Sequence, residues 1–340
     1  MKNTNKTFLS INFGCRVNSA ETNQWSQTLI NQGYLPTTSN PNLIIINTCS
    51  ITKKGDLESL GKIRSLHQKY PQAKIYATGC ANLNKIKDLP NIFIYSNNQK
   101  EELLKDLKSY YTPKIKDKFS HTHRFLLKIQ SGCTQFCSYC IVPFKRSKLW
   151  SLKIEDAINT VNSAMQNGYQ EIIITGVNLD QYEYSFSELI KKILEQTDIK
   201  LISFGSIPLN CIDKKFIKLL EKYPQRISKF LHIPIQSGSD KILKLMNRPY
   251  TKKDIIKKFD QLKKIKGLSF GTDIIVGFPT ESDQDFKQTL NLCQNIGFSK
   301  IHTFKYSSRP NTKAKIIHDT NPKISLKILK SRSQQIRNLV

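Results

Sequence analysis

Short apolar segments of strand length alternate with longer amphipathic segments along almost the whole chain, and this alternation constrains the fold most. Apolar strands separated by helices are typical of parallel sheets whose faces are covered by helices. The sequence therefore predicts an α/β fold. With 340 residues and 39% hydrophobic content, the chain is long enough for about two domains.

The first hundred residues contain three apolar segments with helix-like segments between them. The predicted strands are Thr7 to Asn12, Leu43 to Asn47 and Lys74 to Thr78, and the predicted helices lie near Glu21 to Gln32 and Leu57 to Lys69. We predict a Rossmann-like parallel-sheet domain over residues 1–108, with ligands at the carboxyl ends of its strands. Residues 109–123 lack a regular period, mix charges and contain Pro113, so we predict a linker there.

The alternation starts again after the predicted linker. The strand candidates are Phe125 to Ile129, Glu171 to Thr175, Lys200 to Phe204, Phe230 to Pro234, Leu268 to Val276 and Lys300 to Phe304. Six strands alternating with helices over residues 124–340 predict a partial (βα)6 barrel, with ligands at the carboxyl ends of the strands. Asn178 follows the second strand and Gln236 follows the fourth, where each side chain can bind a ligand or only cap a turn.

Three cysteines directly after the first barrel strand have CxxxCxxC spacing: Cys133, Cys137 and Cys140. Three thiolates this close together can hold an iron–sulfur cube at three corners and leave one iron open. A zinc site is the alternative, but zinc normally takes four protein ligands. The upstream candidates for a fourth ligand, His121 and His123, fall in the predicted linker. A disulfide is disfavoured, because the chain begins without an apolar signal segment and so reads as cytoplasmic, where thiols stay reduced.

A second set of three cysteines follows the predicted strands of the first domain. Cys15, Cys49 and Cys80 each come one to three residues after a different strand. Because the carboxyl ends of parallel strands meet at one edge, we expect a second tripod of metal ligands there. The alternative is that each cysteine is a small buried hydrophobe. Cys211 and Cys293 stand alone in helix-like segments, and we interpret both as structural.

The chain is strongly basic, with 53 Lys and Arg against 26 Asp and Glu and a net charge of +27. Such a charge suits a polyanionic partner such as nucleic acid. The alternative is compositional, because a chain rich in Lys, Ile and Asn is also what AT-rich coding sequence favours. No run of about 18 apolar residues occurs, so no membrane span is predicted.

Several motifs in order resemble the methylthiotransferase family of radical S-adenosylmethionine enzymes, from about Thr7 to about Arg337. They are GCRVN at residues 14–18, NTC at 47–49, GC at 79–80, the cysteine loop at 132–140, LHIPIQSGSDKILKLMNRPYT at 231–251, GTDIIVGFPTE at 271–281 and YSSRPNTKA at 306–314.

The resemblance implies an N-terminal α/β domain followed by a partial barrel, with six cysteines holding two [4Fe–4S] clusters. The cluster on Cys133, Cys137 and Cys140 would bind S-adenosylmethionine and generate a 5′-deoxyadenosyl radical, chemistry that a cofactor must supply. The cluster on Cys15, Cys49 and Cys80 would carry the sulfur that is inserted. The predicted cofactor contacts are Tyr139, Asn178, Gln236 and Asp273.

The resemblance also indicates a substrate. The motif at residues 14–18, with Glu21 and Thr22, is similar to the branch that acts on N6-threonylcarbamoyladenosine beside the tRNA anticodon. The alternatives are the branch that acts on N6-isopentenyladenosine, and an RNA-binding iron–sulfur protein with reduced or lost turnover. The implied partners are the tRNA anticodon loop and electron and sulfur donors of unknown identity.

The chain departs from the family pattern at Ser147, Pro208, Thr280 and Asn311. We also expect the small C-terminal RNA-binding β-barrel (TRAM) of the family to be absent, because Arg337 is almost the last residue. The basic surface would then hold the tRNA. Our phosphate-binding candidates are the segment 145–148, and Arg309 with Lys313 and Lys315.

Overall fold

A computed structural model describes residues 6–107 and 124–340, so the predicted linker, including His121 and His123, lies outside the described residues. The strands are β1 Thr7–Asn12, β2 Leu35–Pro36, β3 Leu43–Thr48, β4 Lys74–Gly79, β5 Ile92–Ile94, β6 Arg124–Ser131, β7 Trp150–Ser151, β8 Glu171–Gly176, β9 Leu201–Phe204, β10 Phe230–His232, β11 Ser269–Val276 and β12 Lys300–Lys305. The helices are α1 Arg16–Asn31, α2 Lys53–Lys69, α3 Lys100–Asp106, α4 Val142–Lys145, α5 Ile154–Gln166, α6 Phe186–Gln196, α7 Lys214–Lys222, α8 Asp240–Leu245, α9 Lys252–Leu262, α10 Asp283–Ile296, α11 Lys313–Thr320 and α12 Leu326–Arg337.

Contacts divide the described chain into two compact units. The first unit contains residues 6–107, 124–134, 142–170 and 175–177, and the second contains residues 135–141, 171–174 and 178–340. The cysteine loop at 132–140 and strand β8 therefore contribute residues to both units. The domain boundaries predicted from the sequence, at residues 108 and 124, stay predictions.

The first unit is built on a five-stranded parallel sheet with the strand order β2-β1-β3-β4-β5. Its central strand β3 is buried along its whole length, as expected for a parallel strand covered on both faces. Side chains alternate between these faces: Ile44 packs in the cluster that contains Ile63 of α2, and Ile45 packs in the cluster that contains Trp25 of α1. The predicted N-terminal parallel sheet is confirmed.

The second unit contains the parallel pair β8–β9 and the parallel three-stranded sheet β10-β11-β12. Strand β11 shows which sheet face α9 covers. Phe270 packs edge-on against Phe259 of α9, and Phe259 also contacts Phe298. Because side chains alternate along a strand, Gly271, Asp273 and Ile275 lie on the opposite face.

All six predicted barrel strands are present, as β6 and β8–β12. Strands β2, β5 and β7 were not predicted from the sequence, because they have only two or three residues each. In the described part of the chain, no helix has both the length and the apolar character needed to cross a membrane.

Candidate functional site

The first group of candidate ligands lies at the carboxyl edge of the N-terminal sheet. Cys49 directly follows β3, Cys80 directly follows β4, and Cys15 is the N-terminal cap residue of α1. Cys80 is buried, Cys49 is half-buried and Cys15 is exposed. Three different elements thus place one thiol each at the same edge of the sheet, as predicted from the strand ends.

Two glycines allow the backbone to pack closely beside these thiols. Gly14 has φ +92°, and a Cβ atom there would lie 2.6 Å from Cys49 Sγ. Gly79 has φ +108°, and a Cβ atom there would lie 2.4 Å from the carbonyl oxygen of Thr48. Only glycine tolerates both this backbone conformation and this close approach. The residues before Cys15 and Cys80 must therefore be glycine, because the backbone is closely packed at this edge of the sheet, which we call the rim.

The electrostatics of this rim fit a cationic or metal-containing ligand. Burial raises the pKa of the Cys49 thiol, and charge on Cys80 or Cys15 raises this pKa further. The Cys49 thiolate is therefore unfavourable unless positive charge lies beside it. Iron supplies such charge, and thiolates are the usual ligands of iron–sulfur clusters. Three thiols at one edge of the sheet are a donor set of the kind that holds an iron–sulfur cluster at three corners.

A buried ionic network stands behind the rim in the first unit. The Glu21 carboxylate accepts hydrogen bonds from both terminal nitrogens of Arg146, each at 2.9 Å, and from Lys100 Nζ at 2.5 Å. Lys128 Nζ lies 3.3 Å away. Burial alone raises the pKa of Glu21, but Lys100, Arg146 and Lys128 lower it well below its ordinary value. Three cations therefore surround one ionised carboxylate.

Arg146 connects this network to both groups of cysteines. Its carbonyl oxygen accepts the Cys133 N–H at 2.9 Å, and its guanidinium donates to Asn18 Oδ1 at 2.7 Å. Asn18 in turn donates to the carbonyl oxygens of Phe13 and Thr48, which directly precede Gly14 and Cys49. Arg146 is 4% exposed. Our prediction that it binds RNA phosphate is therefore wrong, because its guanidinium is committed to a buried carboxylate.

The CxxxCxxC loop has no regular secondary structure between β6 and α4. Cys133 and Cys137 are buried and Cys140 is half-buried. The Cys140 N–H donates to the Cys137 carbonyl oxygen at 2.9 Å. Within the second unit, Arg248 Nη1 donates to Cys137 Sγ at 3.4 Å. Arg248 was not among the predicted site residues, although it lies within the motif at residues 231–251.

The structure places the four predicted cofactor contacts in different surroundings. Tyr139 packs against an apolar cluster that includes Ile275 and Phe278, and burial raises the pKa of its hydroxyl well above the ordinary value. Asn178 caps a short 3-10 turn by accepting the Asp180 N–H at 3.3 Å, and its Nδ2 donates to Gln135 Oε1 of the cysteine loop at 3.1 Å. Its role as a cofactor contact stays a prediction.

Gln236 and Asp273 lie side by side in the second unit. Gln236 has φ +68°, an uncommon conformation for a residue other than glycine, and its N–H donates to the Asp273 carbonyl oxygen at 2.9 Å. The Asp273 carboxylate contacts two histidines that the sequence reading did not single out. Asp273 Oδ1 lies 2.9 Å from His232 Nε2 and 3.2 Å from His302 Nδ1. In the sequence, the only indication of these two histidines was that they and Asp273 lie on three consecutive predicted barrel strands.

Comparisons with known proteins match both halves of the chain. The family model described as Radical SAM superfamily matches residues 127–293, and the model described as Uncharacterized protein family UPF0004 matches residues 7–95.

Similar full-length relatives carry names of tRNA-modifying enzymes. Threonylcarbamoyladenosine tRNA methylthiotransferase MtaB of Aquifex aeolicus is 32% identical over 96% of this chain and 86% of its own length. The MtaB protein of Chlamydia pneumoniae is 34% identical over 91% of this chain and 76% of its own length. The tRNA-2-methylthio-N(6)-dimethylallyladenosine synthase of a Hydrogenobaculum species is 33% identical over 90% of this chain and 78% of its own length.

Solved structures share the fold at low sequence identity. The radical S-adenosylmethionine methyltransferase TsrM from Kitasatospora setae, with cobalamin and a [4Fe-4S] cluster bound, has a TM-score of 0.70 at 10% identity. That match covers 92% of this chain and 77% of TsrM. The likeness supports the fold alone.

Proposed function

Because the chain belongs to the radical S-adenosylmethionine methylthiotransferase family, we propose that it inserts a methylthio group at C2 of N6-threonylcarbamoyladenosine beside the anticodon of tRNA. The relatives that match are named as tRNA methylthiotransferases, and the radical S-adenosylmethionine superfamily implies a [4Fe–4S] cluster and S-adenosylmethionine. This modified nucleoside implies that the protein binds the anticodon loop of tRNA. It also implies a cytoplasmic location.

We assign the radical-generating cluster to Cys133, Cys137 and Cys140. When bound, this cluster and S-adenosylmethionine supply a radical that abstracts hydrogen from an unactivated C–H bond, which no side-chain acid or base can do. Each unit contributes one contact to its own part of the loop. The Arg146 carbonyl oxygen accepts the Cys133 N–H, and the Arg248 guanidinium donates to Cys137 Sγ. Both contacts position thiolates rather than react.

We assign a second [4Fe–4S] cluster, the carrier of the inserted sulfur, to Cys15, Cys49 and Cys80. The observation that carries the whole proposal is the pair of separate cysteine triads, one at the rim of the N-terminal sheet and one in the loop after β6. A reaction that needs one radical initiator and one sulfur carrier requires two such sites. An RNA-binding protein without turnover would have no need for either open cluster corner, so the intact triads argue against that alternative.

The threonylcarbamoyl substrate is favoured by two observations. The residues GCRVN at 14–18 with Glu21 resemble that branch of the family. The relatives with that name from Aquifex aeolicus and Chlamydia pneumoniae match over most of their own length. The relative named for dimethylallyladenosine is about as similar, so N6-isopentenyladenosine is the second candidate.

The test uses the full chain after anaerobic reconstitution with iron and sulfide, with dithionite as electron donor. It is incubated with S-adenosylmethionine and with tRNA carrying either N6-threonylcarbamoyladenosine or N6-isopentenyladenosine, and the nucleosides are measured by mass spectrometry. We expect the methylthio product on the threonylcarbamoyl tRNA. Cys49→Ala should abolish it, whereas Cys293→Ala, a buried cysteine of α10, should retain it. Product formed on the isopentenyl tRNA alone would overturn the substrate assignment.

A further inference from the structure

Three polar side chains form a cluster on the second unit, which we call the histidine cluster: His232 on β10, Asp273 on β11 and His302 on β12. Asp273 Oδ1 lies 2.9 Å from His232 Nε2 and 3.2 Å from His302 Nδ1, and the imidazole centroids are 5.0 Å apart. Asp273 and His302 are direct partners in the strand register, and His232 pairs with Gly271. The three side chains therefore stand on one face of three adjacent strands.

The histidine cluster stands on the sheet face opposite to α9, and Ile275 on that same face packs in an apolar cluster with Ile242, Met246 and Ala314. Phe270 packs against Phe259 of α9. Side chains alternate between the two faces of a strand, so Asp273, an odd number of residues further along, lies on the opposite face. Gly271 keeps space for the cluster, because a Cβ atom there would lie 2.7 Å from His232 Nδ1. Barrel enzymes bind their ligands on the side that the outer helices do not cover, near the carboxyl ends of the strands.

Exposure increases steadily across the cluster towards the outer strand. The side chains of His232, Asp273 and His302 are 10%, 21% and 47% exposed, respectively. His302 stands on β12, the outer strand of the three-stranded sheet. A group that arrives from solvent therefore meets the His302 imidazole first, with Asp273 and His232 behind it.

The chemistry of the cluster suits a polar, anionic group. Ring N–H groups are hydrogen-bond donors that an incoming carboxylate can accept from. With a proton on both ring nitrogens, His302 can donate to that carboxylate from its second nitrogen while Nδ1 donates to Asp273. An apolar group covering the same side chains would remove them from water without replacing their hydrogen bonds, which is unfavourable.

We propose that His302, oriented by Asp273 and His232, contacts the threonyl carboxylate of the N6-threonylcarbamoyl arm and so selects this substrate over an adenosine with an apolar N6 arm. This inference rests on the proposed function and extends it to a residue. The dimethylallyl arm contains no hydrogen-bonding atom, whereas the threonyl arm carries a carboxylate and a hydroxyl. Sites built to bond a polar substrate group discriminate strongly against analogues that lack it.

The first experiment compares the reconstituted wild type with His302→Phe on tRNA carrying N6-threonylcarbamoyladenosine. We expect kcat/KM to fall by about 10- to 100-fold, as for loss of one hydrogen bond to a charged group. The iron content of the two forms should not differ. His67→Phe on α2 is the matched control and should behave as wild type. An unchanged kcat/KM in His302→Phe would overturn the inference.

A binding experiment separates this inference from the proposed function. The affinities of wild type and His302→Phe are measured, at one fixed salt concentration, for anticodon stem-loop RNA with N6-threonylcarbamoyladenosine or with unmodified adenosine at the same position. We expect wild type to prefer the modified loop by about 10-fold or more and His302→Phe to lose this preference. Equal wild-type affinity for both loops would overturn the inference whether or not turnover is seen. The proposed function fails separately, if no methylthio product forms on that tRNA.

The same cluster has a donor set, two histidines and one aspartate, that binds transition metals in other proteins. Metal analysis of the reconstituted protein decides between the two uses. We expect equal zinc, manganese and non-cluster iron contents in wild type and His302→Phe. One equivalent of metal present in wild type and lost in His302→Phe would assign the cluster to a metal ion and overturn the substrate contact.

Discussion

Replacing Glu21 by Gln tests whether the buried ionic network holds the first unit together. Gln has nearly the same shape but no charge, so Arg146, Lys100 and Lys128 would lose their shared counter-charge. Glu21 is 3% exposed and Arg146 is 4% exposed, so neither can turn to water without local unfolding. Breaking a buried pair by removing one partner typically costs about 3–5 kcal/mol.

The expected loss is at the lower end of that range, about 3 kcal/mol. The side chains of Lys100 and Lys128 are 13% and 21% exposed, so both ammonium groups can move partly towards solvent and reduce the cost. Arg146 cannot, because its guanidinium also donates to Asn18 and Ser131. For a unit of this size, a change of 3 kcal/mol corresponds to a fall in Tm of roughly 6–12 °C.

Intrinsic fluorescence makes urea unfolding selective for this unit. The chain contains two tryptophans, Trp25 and Trp150, and both lie in the first unit. Each lies beside a cation of the network. Lys100 Nζ is 5.4 Å from the centroid of the Trp25 ring, and Lys128 Nζ is 5.1 Å from the centroid of the Trp150 ring. A fluorescence-detected urea titration therefore reports the free energy of unfolding where the substitution acts.

The pH dependence gives a second signature. The pKa of Glu21 is lowered in the folded state, so its stabilising contribution is complete above the ordinary value of 4.5 and is lost as the pH falls through the folded-state pKa. The difference between wild type and Glu21→Gln should shrink as the pH falls below about 4.5.

A matched control separates burial from charge removal. Glu58→Gln removes the carboxylate of an exposed i,i+4 pair, in which the Glu58 side chain is 55% exposed and lies 3.6 Å from Lys54. It should change the free energy of unfolding by less than about 0.5 kcal/mol. If Glu21→Gln were as mild as this control, the argument that burial makes the network essential would be refuted.

Two further predictions follow from the clusters and from the last helix. The reconstituted wild type should hold about eight iron atoms per chain, and replacing Cys133, Cys137 and Cys140 by Ala should remove about half, as measured by iron analysis; full retention of iron would contradict the two-cluster assignment. Arg332→Met removes the 2.7 Å contact between Arg332 and the buried Glu281. Amide hydrogen exchange in residues 326–337 should therefore become faster. Unchanged exchange would show that α12 is held by packing alone.

The strands and the cysteine triads are predictable from local sequence alone. Strands β1, β3 and β4 were predicted to within one residue because their hydrophobic pattern is local and each is ended by a turn. The positions of Cys49 and Cys80 followed, since a residue after a parallel strand must lie at the carboxyl edge of the sheet. The CxxxCxxC spacing is local as well, and so needed no tertiary information.

The start of α1 shows where local pattern stops being sufficient. The sequence predicted a helix near Glu21 to Gln32, but α1 begins at Arg16. Its first turns contain Asn18 and Glu21, polar residues that do not follow an apolar period and are nevertheless buried. They are buried because Arg146, 125 residues away from Glu21, supplies their hydrogen bonds.

Only the tertiary structure decided which charged and polar residues act together. In the sequence, Arg146 stands in a basic segment and reads as a phosphate contact, whereas the fold buries it against Glu21. Asp273 reads as one candidate among several, whereas the strand register sets it between two histidines that are 41 and 29 residues away. The reason is physical: hydrophobic periodicity is encoded between neighbours along the chain, but a charge is paired by whatever the packed strands and helices bring within about 3 Å.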